Sequence, residues 1–565
     1  MLITNTLIGN FRMYTHLYTE SMNTNYIAGV YRDSNSQKDF ITAVEVDGDK
    51  FAESGIFAKV QVPENMKVVN IISQRFTSKE FEVLVTTVKR GGIYTNYLID
   101  LADNDSVFVP LFESSSTPIL IADPDDLSPL LVFGTDKKGP MKTVAASIHE
   151  IQKNKVDTNR TNEYKYVING IGLRGVHTSS FLALHKNMQA VLALHVKNPE
   201  KTRNSIIFYN IADNQVLARA DLPANIGPVV FSELVDGVGS DMIYVSEENG
   251  KYFLNIHKNI IFTAEEEREF RKEQNFKKFL DEKDNKTDDI FEESIKLDLT
   301  EFSSFGTPVL STADHVPSGI FLSNSEKKQI NLIFEENHKF ILRTFEFNFH
   351  NFGYQLVLSE NQLLDHNEGI TSISFTEIDN NNQECILINT SDNSLKLEKV
   401  TKNENENMYL NLLAIKSSNQ PYIPGTTFCI IYENNTKLVK GSLGPQTSYP
   451  SLQRHKFFGI SRTKFFINFV LLKAPTKSKE TGFYNAISVI IPNTFSTFTF
   501  NGERWFRKSY FLDLQCGRTA IGVLVVLIAL PTIYHFISYL RPYLLHRNKK
   551  VVDSADSTKK VFEAL

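Results

Sequence analysis

A repeated pair of short apolar runs is the feature that most constrains how this 565-residue chain can fold. Each unit has an apolar run, a polar and often acidic loop, and a second apolar run, and a second hairpin follows. Runs of this length that are rich in Val, Ile, Leu and Phe and bounded by turn residues are typical of β-strands. The first hairpins of the units fall at residues 68–87, 118–134, 180–196, 228–246, 308–323 and 370–388.

Two hairpins in each unit give four strands, and a sheet of four strands cannot cover both of its own faces. Stacking such sheets around an axis buries the faces and leaves only short edges. The sequence therefore predicts a mainly β protein with a seven-bladed β-propeller over residues 1–418. Six units are visible, and residues 1–60 would supply most of a seventh. A pair of β-sandwiches is the alternative arrangement of the same strands.

Two further regions depart from this repeat. Residues 262–298 are highly charged, and Thr263 with Glu266 forms a capping-box pattern. We expect a charged helical insertion there, projecting into solvent. Residues 419–516 return to short apolar runs with more Pro and Phe, which predicts a membrane-proximal domain similar to a β-sandwich.

Residues 519–540 contain no Asp, Glu, Lys or Arg. A helix of that length spans about 30 Å, the thickness of a bilayer's hydrocarbon core. The sequence thus predicts one transmembrane helix, with a buried core helix as the alternative. Basic residues in the short tail at 541–565 favour a cytosolic C-terminus. The large N-terminal part would then be lumenal or extracellular, at the plasma membrane or in the secretory pathway.

The first residues lack the cationic region and the apolar run of a signal peptide. Either a start upstream supplies one, which we expect, or the helix inserts after translation and the large domain stays cytosolic. Sequons for N-glycosylation are compatible with a lumenal topology, although about this many arise by chance in an Asn-rich chain. They lie at Asn104, Asn159, Asn285, Asn389 and Asn434.

A set of residues in the predicted membrane-proximal domain carries a resemblance to a known family. These residues are Gln446, Ser448, Tyr449, Phe458, Gly459, Arg462, Pro492 and Asn493. With one apolar segment following them, they resemble the corresponding region of the T-cell immunomodulatory protein family. The resemblance extends to the propeller only in outline. It implies a single-pass type I membrane glycoprotein with a seven-bladed propeller of integrin-α-like FG-GAP repeats, acting as a cell-surface modulator.

FG-GAP repeats carry calcium loops in which oxygen ligands recur every two residues and a carboxylate closes the loop. Glu233 and Asp241 have the spacing of the first and last ligands, but Val235 and Gly237 occupy the positions between them. Loops this depleted would bind calcium weakly or not at all. Ordinary acidic hairpin turns are the favoured interpretation.

Two other segments are depleted in a similar way. Glu377, Asp379 and Asn381 keep the first three ligand positions without a correctly spaced closing carboxylate. Asp123 and Asp125 begin a third loop, which Leu127 interrupts.

The remaining composition excludes several functions. A net charge of −5 and a pI near 6.3 argue against nucleic-acid binding. Three cysteines cannot form a disulfide framework. A G-x-G-x-x-G pattern at residues 170–175 precedes strand-like residues rather than a helix, so it does not predict a nucleotide site.

We therefore expect no catalytic residues and no small-molecule substrate. The expected function is binding of a protein or glycan partner by loops on a rigid scaffold. A folding, assembly or trafficking factor of the secretory pathway is the alternative, and a glycan-acting enzyme is a remote one.

Overall fold

The computed structural model describes most of residues 3–511 and part of residues 522–542. Statements about the structure refer to these residues. The longer stretches outside the description are residues 52–58, 157–163, 260–292, 311–319, 360–369, 377–384, 401–408, 443–455, 460–468, 487–493, 512–521 and 543–565.

Within the described part of residues 3–400, the strands form seven small antiparallel sheets that follow one another along the chain. Strand β1 (Ile3–Gly9) joins sheet 7, and sheet 1 contains β2 (Phe11–Thr19), β3 (Thr24–Arg32), β4 (Asp39–Asp47), β5 (Lys50–Phe51) and β6 (Val60–Gln61). Sheet 2 contains β7 (Lys67–Ser73), β8 (Glu82–Lys89), β9 (Ile93–Asp100) and β10 (Pro110–Ser114). Sheet 3 contains β11 (Ile119–Ala122), β12 (Pro129–Gly134), β13 (Lys142–Ser147) and β14 (Tyr166–Asn169).

The next sheets repeat this order. Sheet 4 contains β15 (Ser180–Ala183), β16 (Ala190–Lys197), β17 (Asn204–Asn210) and β18 (Gln215–Leu222), and sheet 5 contains β19 (Val230–Ser232), β20 (Asp241–Glu248), β21 (Lys251–Lys258) and β22 (Glu293–Asp298). Sheet 6 contains β23 (Thr307–Pro308), β24 (Ile320–Leu322), β25 (Gln329–Glu336), β26 (Lys339–His350) and β27 (Gly353–Leu358). Sheet 7 contains β28 (Ile370–Thr376), β29 (Cys385–Thr390) and β30 (Leu395–Val400). A 3-10 helix at Thr300–Phe305 precedes β23.

Sheet 7 is completed from the other end of the chain. Strand β1 pairs antiparallel with β30, with Ile3 opposite Val400 and Leu7 opposite Lys396. Neighbouring first strands also touch: β2 contacts β7, β15 contacts β19, and β24 contacts both β19 and β28. Consecutive small sheets, the last of which is completed by the strand that precedes the first, form a propeller-like β fold, as the sequence predicts. We call residues 3–400 the propeller-like region.

The core of this region lies between neighbouring sheets. One cluster joins sheets 1 and 2 through residues such as Ile41 and Val83, and another joins sheets 3 and 4 through Val132 and Leu192. Because both faces of a sheet are covered, the central strands are apolar over consecutive residues rather than alternating. Six consecutive residues of β8 are buried, and they include the apolar run of Val83, Leu84 and Val85.

Two more sheets, which we call the sandwich, occupy the described part of residues 409–511. One has the order β34-β31-β37-β38 and the other β33-β32-β35-β36. Their strands are β31 (Tyr409–Ile415), β32 (Thr427–Tyr432), β33 (Lys437–Ser442), β34 (Lys456–Gly459), β35 (Phe469–Lys473), β36 (Phe483–Ala486), β37 (Thr494–Phe500) and β38 (Trp505–Phe511). Leu412, Phe428, Val470, Phe498 and Trp505 share its core.

Two predicted boundaries were wrong. Strand β31 pairs with β34 and β37, so the sandwich begins before residue 418. Strand β22 pairs with β21 along its length, although the sequence assigned residues 293–298 to the charged helical insertion. Its Ile295 and Leu297 pack against a core cluster while charged residues alternate with them, which is a strand period. The rest of that insertion lies outside the described residues.

One helix was not expected from the sequence. Helix α1 (Ile148–Val156) lies between β13 and β14. The hydroxyl of Ser147 accepts a hydrogen bond from the backbone N–H of Glu150 at 3.1 Å, which is an N-terminal cap.

Residues 511–565 form a separate unit. Residues 529–542 of this unit are helical, with exposed apolar side chains such as Phe536 and Ile537. Among the residues that the structure describes, no helix is both long and apolar enough to cross a membrane.

The pairing of β1 with β30 leads to a first prediction. Removal of residues 1–9 leaves β30 as an unpaired outer strand and should lower the free energy of unfolding by roughly 3 kcal/mol or more, at about 0.5–1.5 kcal/mol for each net backbone hydrogen bond. The exposed edge should also promote self-association. Thermal unfolding and size-exclusion chromatography measure the two effects. Removal of residues 1–2 alone is the control, and equal stability of the two truncated chains would contradict the closure.

Candidate functional site at the junction of the propeller-like region and the sandwich

The loop of residues 123–128, which we call the junction loop, is one place where the propeller-like region meets the sandwich, and β15 also contacts β33 of the sandwich. It joins β11 to β12. Ala122 and Leu127 belong to the same hydrophobic cluster as Phe428 and Trp505 of the sandwich. The backbone N–H of Lys477 donates a hydrogen bond of 3.3 Å to the carbonyl oxygen of Pro124. One hairpin of the propeller-like region is therefore inserted into the core of the other domain.

Leu127 adopts a backbone conformation that is unusual for a leucine. Its φ is 60°, in the left-handed region, which costs an L-residue about 1–2 kcal/mol. The side chain is 4% exposed, and full burial of a leucine contributes about 1.5–3 kcal/mol. Its backbone N–H also donates to the carbonyl oxygen of Asp123 at 2.7 Å. Packing in the sandwich core thus offsets the strain of the turn.

The carboxylate of Asp123 is 2% exposed and is satisfied within the protein. Its Oδ1 accepts hydrogen bonds from the backbone N–H of Asp125 at 3.0 Å and from the hydroxyl of Tyr166 at 3.3 Å. Its Oδ2 is paired with the ammonium group of Lys165. That ammonium also lies 3.2 Å from Oδ2 of Asp125. The two aspartates therefore share one lysine.

The titration behaviour of these groups follows from burial and charge. Burial acts to lower the pKa of Lys165, but its hydrogen bonds to Asp123 and Asp125 outweigh burial and raise that pKa. Burial, helped by the charges of Asp123 and Asp125, raises the pKa of the Tyr166 hydroxyl. Lys165 therefore stays charged and Tyr166 stays protonated over the physiological range, so both remain donors.

The sandwich contributes a second lysine to the junction loop. Nζ of Lys477 lies 2.7 Å from Oδ1 of Asp125, and this bond is the main cause that lowers the pKa of that carboxyl. Both side chains are about half exposed, at 51% and 42%. Exposed pairs of this kind contribute up to about 1 kcal/mol. The apolar contact of Leu127 is therefore the stronger link between the domains.

A buried lysine lies four residues before Lys477. Lys473, at the end of β35, is 2% exposed, and its Nζ donates to the hydroxyl of Thr476 at 3.1 Å. Burial lowers the pKa of Lys473 to about 7. The sequence analysis did not single it out, because nothing in its neighbourhood along the chain distinguishes it from an exposed lysine.

Of the candidate calcium ligands, the structure describes Asp241, which is 3% exposed. Its Oδ2 accepts a hydrogen bond from the backbone N–H of Leu234 at 2.9 Å, and its Oδ1 accepts one from Asn259 at 3.1 Å. Both carboxylate oxygens thus bind backbone groups of the surrounding chain. Glu233, Glu377, Asp379 and Asn381 lie outside the described residues. Across the described ranges, no group of three or more His, Cys, Asp or Glu side chains could hold a metal ion.

The carboxylate of Glu82 likewise binds backbone groups, in the hairpin between β7 and β8. This role was not predicted from the sequence. The side chain is 2% exposed. Its Oε2 accepts hydrogen bonds from the backbone N–H groups of Phe76 and Thr77, both at 2.8 Å. An acidic residue at the start of a strand that follows a polar loop is the signal shared by Glu82 and Asp241.

The structure distinguishes two of the sequons. Asn104 lies in an exposed turn after β9, whereas Asn389 is 1% exposed within β29. Asn159, Asn285 and Asn434 lie outside the described residues.

Of the residues that carried the family resemblance, Phe458 and Gly459 form part of β34 and pair with β31. The others lie outside the described residues: Gln446, Ser448, Tyr449, Arg462, Pro492 and Asn493.

Comparisons with known proteins add little to this geometry. No protein-family model matches the sequence, and no curated protein matches it either. A solved structure described as that of the Dos1 propeller is similar with a TM-score of 0.36 and 6% sequence identity, over 70% of this chain and 94% of that chain. The strand topology is the evidence for the propeller-like fold.

The position of Leu127 leads to a second prediction. Leu127→Ala should lower the free energy of unfolding of the sandwich by about 2–5 kcal/mol, because it empties a packed site. Leu127→Gly should cost no more than the alanine variant, since glycine relieves the strain at positive φ. The fluorescence of Trp505, the single tryptophan of the chain, reports the unfolding in urea. Val107→Ala is the control because Val107 is 63% exposed, and an equal effect of the two alanine variants would contradict the insertion.

The burial of Lys473 leads to a third prediction. Below pH 7 the lysine is charged in the folded and unfolded states, so the full cost of burying the charge applies. Between about pH 7 and its ordinary pKa of 10.5, only the unfolded chain keeps the proton, so stability rises with pH. The slope is on the order of 1 kcal/mol per pH unit.

Lys473→Met removes this dependence, so the variant should exceed the natural protein in stability below pH 7, with the difference closing towards pH 10. Urea unfolding followed by Trp505 fluorescence at several pH values measures it. The exposed Lys251→Met substitution is the matched control. Identical pH profiles for Lys473→Met and the natural protein would rule out a buried neutral lysine.

Proposed function

We propose that the chain is a single-pass type I membrane glycoprotein whose lumenal or extracellular part binds a protein or glycan partner. The observation that carries the proposal is the junction itself. Two β domains that share a hydrophobic core through Leu127 form a scaffold of fixed geometry. Such a scaffold holds surface loops in defined positions, which favours recognition of a partner rather than turnover of a substrate.

We also propose that the seven sheets close into a seven-bladed ring of degenerate FG-GAP repeats, as in the T-cell immunomodulatory type of architecture. The antiparallel pairing of β1 with β30 supports closure of the ring. Contacts between successive first strands support a radial arrangement. The internal satisfaction of Asp123 and Asp241 agrees with repeats that keep their acidic loops without needing a metal.

The partner would bind at the rim of the ring opposite the sandwich. Strand direction alternates in each sheet, so the hairpins between second and third strands lie at the other end from the junction loop. Their described turns are exposed and carry no apolar side chain, and they include residues 34–38, 91–92, 249–250 and 335–338. Loops carried on a rigid ring at one rim are a common way for such folds to present a binding surface.

Membrane attachment is proposed on the uncharged residues 519–540. The exposed apolar side chains of the helical residues 529–542 are consistent with it. The basic residues that follow favour a cytosolic tail.

The differing exposure of two sequons gives the fourth prediction, which tests the topology. In a full-length chain with Asn159→Gln, Asn285→Gln and Asn434→Gln, glycosidase treatment should produce one mobility shift. Adding Asn104→Gln should abolish that shift, because Asn104 is exposed. Adding Asn389→Gln instead should leave it unchanged, because Asn389 is buried in β29.

No shift in the chain that keeps Asn104 would place this domain in the cytosol and overturn the proposed topology. Labelling of intact cells with a membrane-impermeant reagent then separates the surface from the secretory pathway. Labelling supports a surface binding protein, and wholly internal retention supports a folding, assembly or trafficking factor instead.

A further inference from the structure

We propose that the ammonium group of Lys165 occupies the place of a bound metal ion in the junction loop, so that the loop is a cation site filled by the protein itself. The inference concerns the residues of the loop and does not depend on the topology of the chain.

Two acids of the junction loop have the spacing and convergence of cation ligands. Asp123 and Asp125 are two residues apart, which is the ligand spacing of a calcium loop. Their carboxylates converge on one point, and the atom at that point is Nζ of Lys165. A point charge with several donors can satisfy two carboxylates that would otherwise repel each other.

Burial of Asp123 makes a positive partner necessary. The carboxylate of Asp123 is 2% exposed, and a buried ionised carboxylate requires a counter-charge or several hydrogen bonds. Lys165 provides the charge, and Tyr166 and the backbone N–H of Asp125 supply further donors. Tyr166 is the first residue of the fourth strand of the same sheet and Lys165 directly precedes it, so the two lie 43 and 42 residues along the chain from Asp123.

The next ligand position of the loop is occupied by an apolar residue. Leu127 stands where a calcium loop has its third oxygen ligand, and its side chain is committed to the hydrophobic cluster of the sandwich. The loop therefore has two of the oxygen ligands of a calcium loop, and in place of the third it has a contact between domains. The positive charge needed by the two remaining acids comes from Lys165, with Lys477 adding a second contact to Asp125.

The fifth prediction tests this assignment by thermal unfolding of the purified full-length chain in excess chelator and in excess calcium. Trp505 fluorescence reports the sandwich, and far-UV circular dichroism reports the sheets. The natural protein should unfold at the same midpoint in both conditions. Lys165→Met should unfold at a lower midpoint in chelator, and calcium should raise that midpoint, because a divalent ion can then enter between Asp123 and Asp125.

Lys165→Arg keeps the positive charge and should stay close to the natural protein without a response to calcium. Lys38→Met makes the same chemical change at an exposed position and should change nothing. If Lys165→Met does not fold, Lys165→Gln, whose amide still donates a hydrogen bond, replaces it in the same experiment.

A midpoint of the natural protein that falls in chelator would overturn the proposal, because the loop would then hold a metal already. If Lys165→Met loses stability and its midpoint does not change with calcium, Lys165 forms only an ordinary ion pair, and the proposal is overturned as well. Calcium stabilisation confined to the neutral variant supports it.

Discussion

Pairing between the two ends of the propeller-like region is the constraint on which the rest of the structure depends. Each sheet covers the apolar face of its neighbour, so an open row of sheets would leave one apolar face bare at each end. Strand β1 removes that problem by completing sheet 7 next to sheet 1. The backbone hydrogen bonds between β1 and β30 join residues almost 400 positions apart.

Two interactions of the junction loop link the domains, and they differ in magnitude. The exposed pair of Lys477 and Asp125 contributes up to about 1 kcal/mol, whereas the buried side chain of Leu127 contributes about 1.5–3 kcal/mol. The apolar contact therefore fixes the sandwich against sheet 3. The charged groups around it mainly satisfy one another, since removing either partner of a buried pair is costly while keeping both adds little.

The periodicity of the sequence was sufficient to predict the mainly β fold, because paired apolar runs at regular spacing have few alternatives. The boundaries of the strands and domains were harder to predict. The strand period of β22 was hidden among charged residues, since Ile295 and Leu297 alternate with Lys296 and Asp298. Strand β31 looked like a continuation of the repeats because its apolar run resembles theirs, and only its pairing with β34 and β37 assigns it to the sandwich.

The candidate site was also only partly predictable from the sequence. The spacing of Asp123 and Asp125 identified the junction loop as unusual, but its partners could not be read from the sequence, because Lys165 and Lys477 lie far along the chain. Leu127 appeared only as an interruption of a ligand pattern. Its role depends on a neighbouring domain, which no local pattern reveals. The burial of Lys473 and Glu82 is likewise a property of the folded molecule.

Native-state hydrogen exchange of the backbone amides in β1 tests closure most directly. If β1 is an integral strand of sheet 7, the amides of residues 3–9 that face β30 exchange only through large-scale opening, at rates similar to those of β29 and β30. Exchange of residues 3–9 at the rate of an unstructured peptide, with β29 and β30 still protected, would contradict the account.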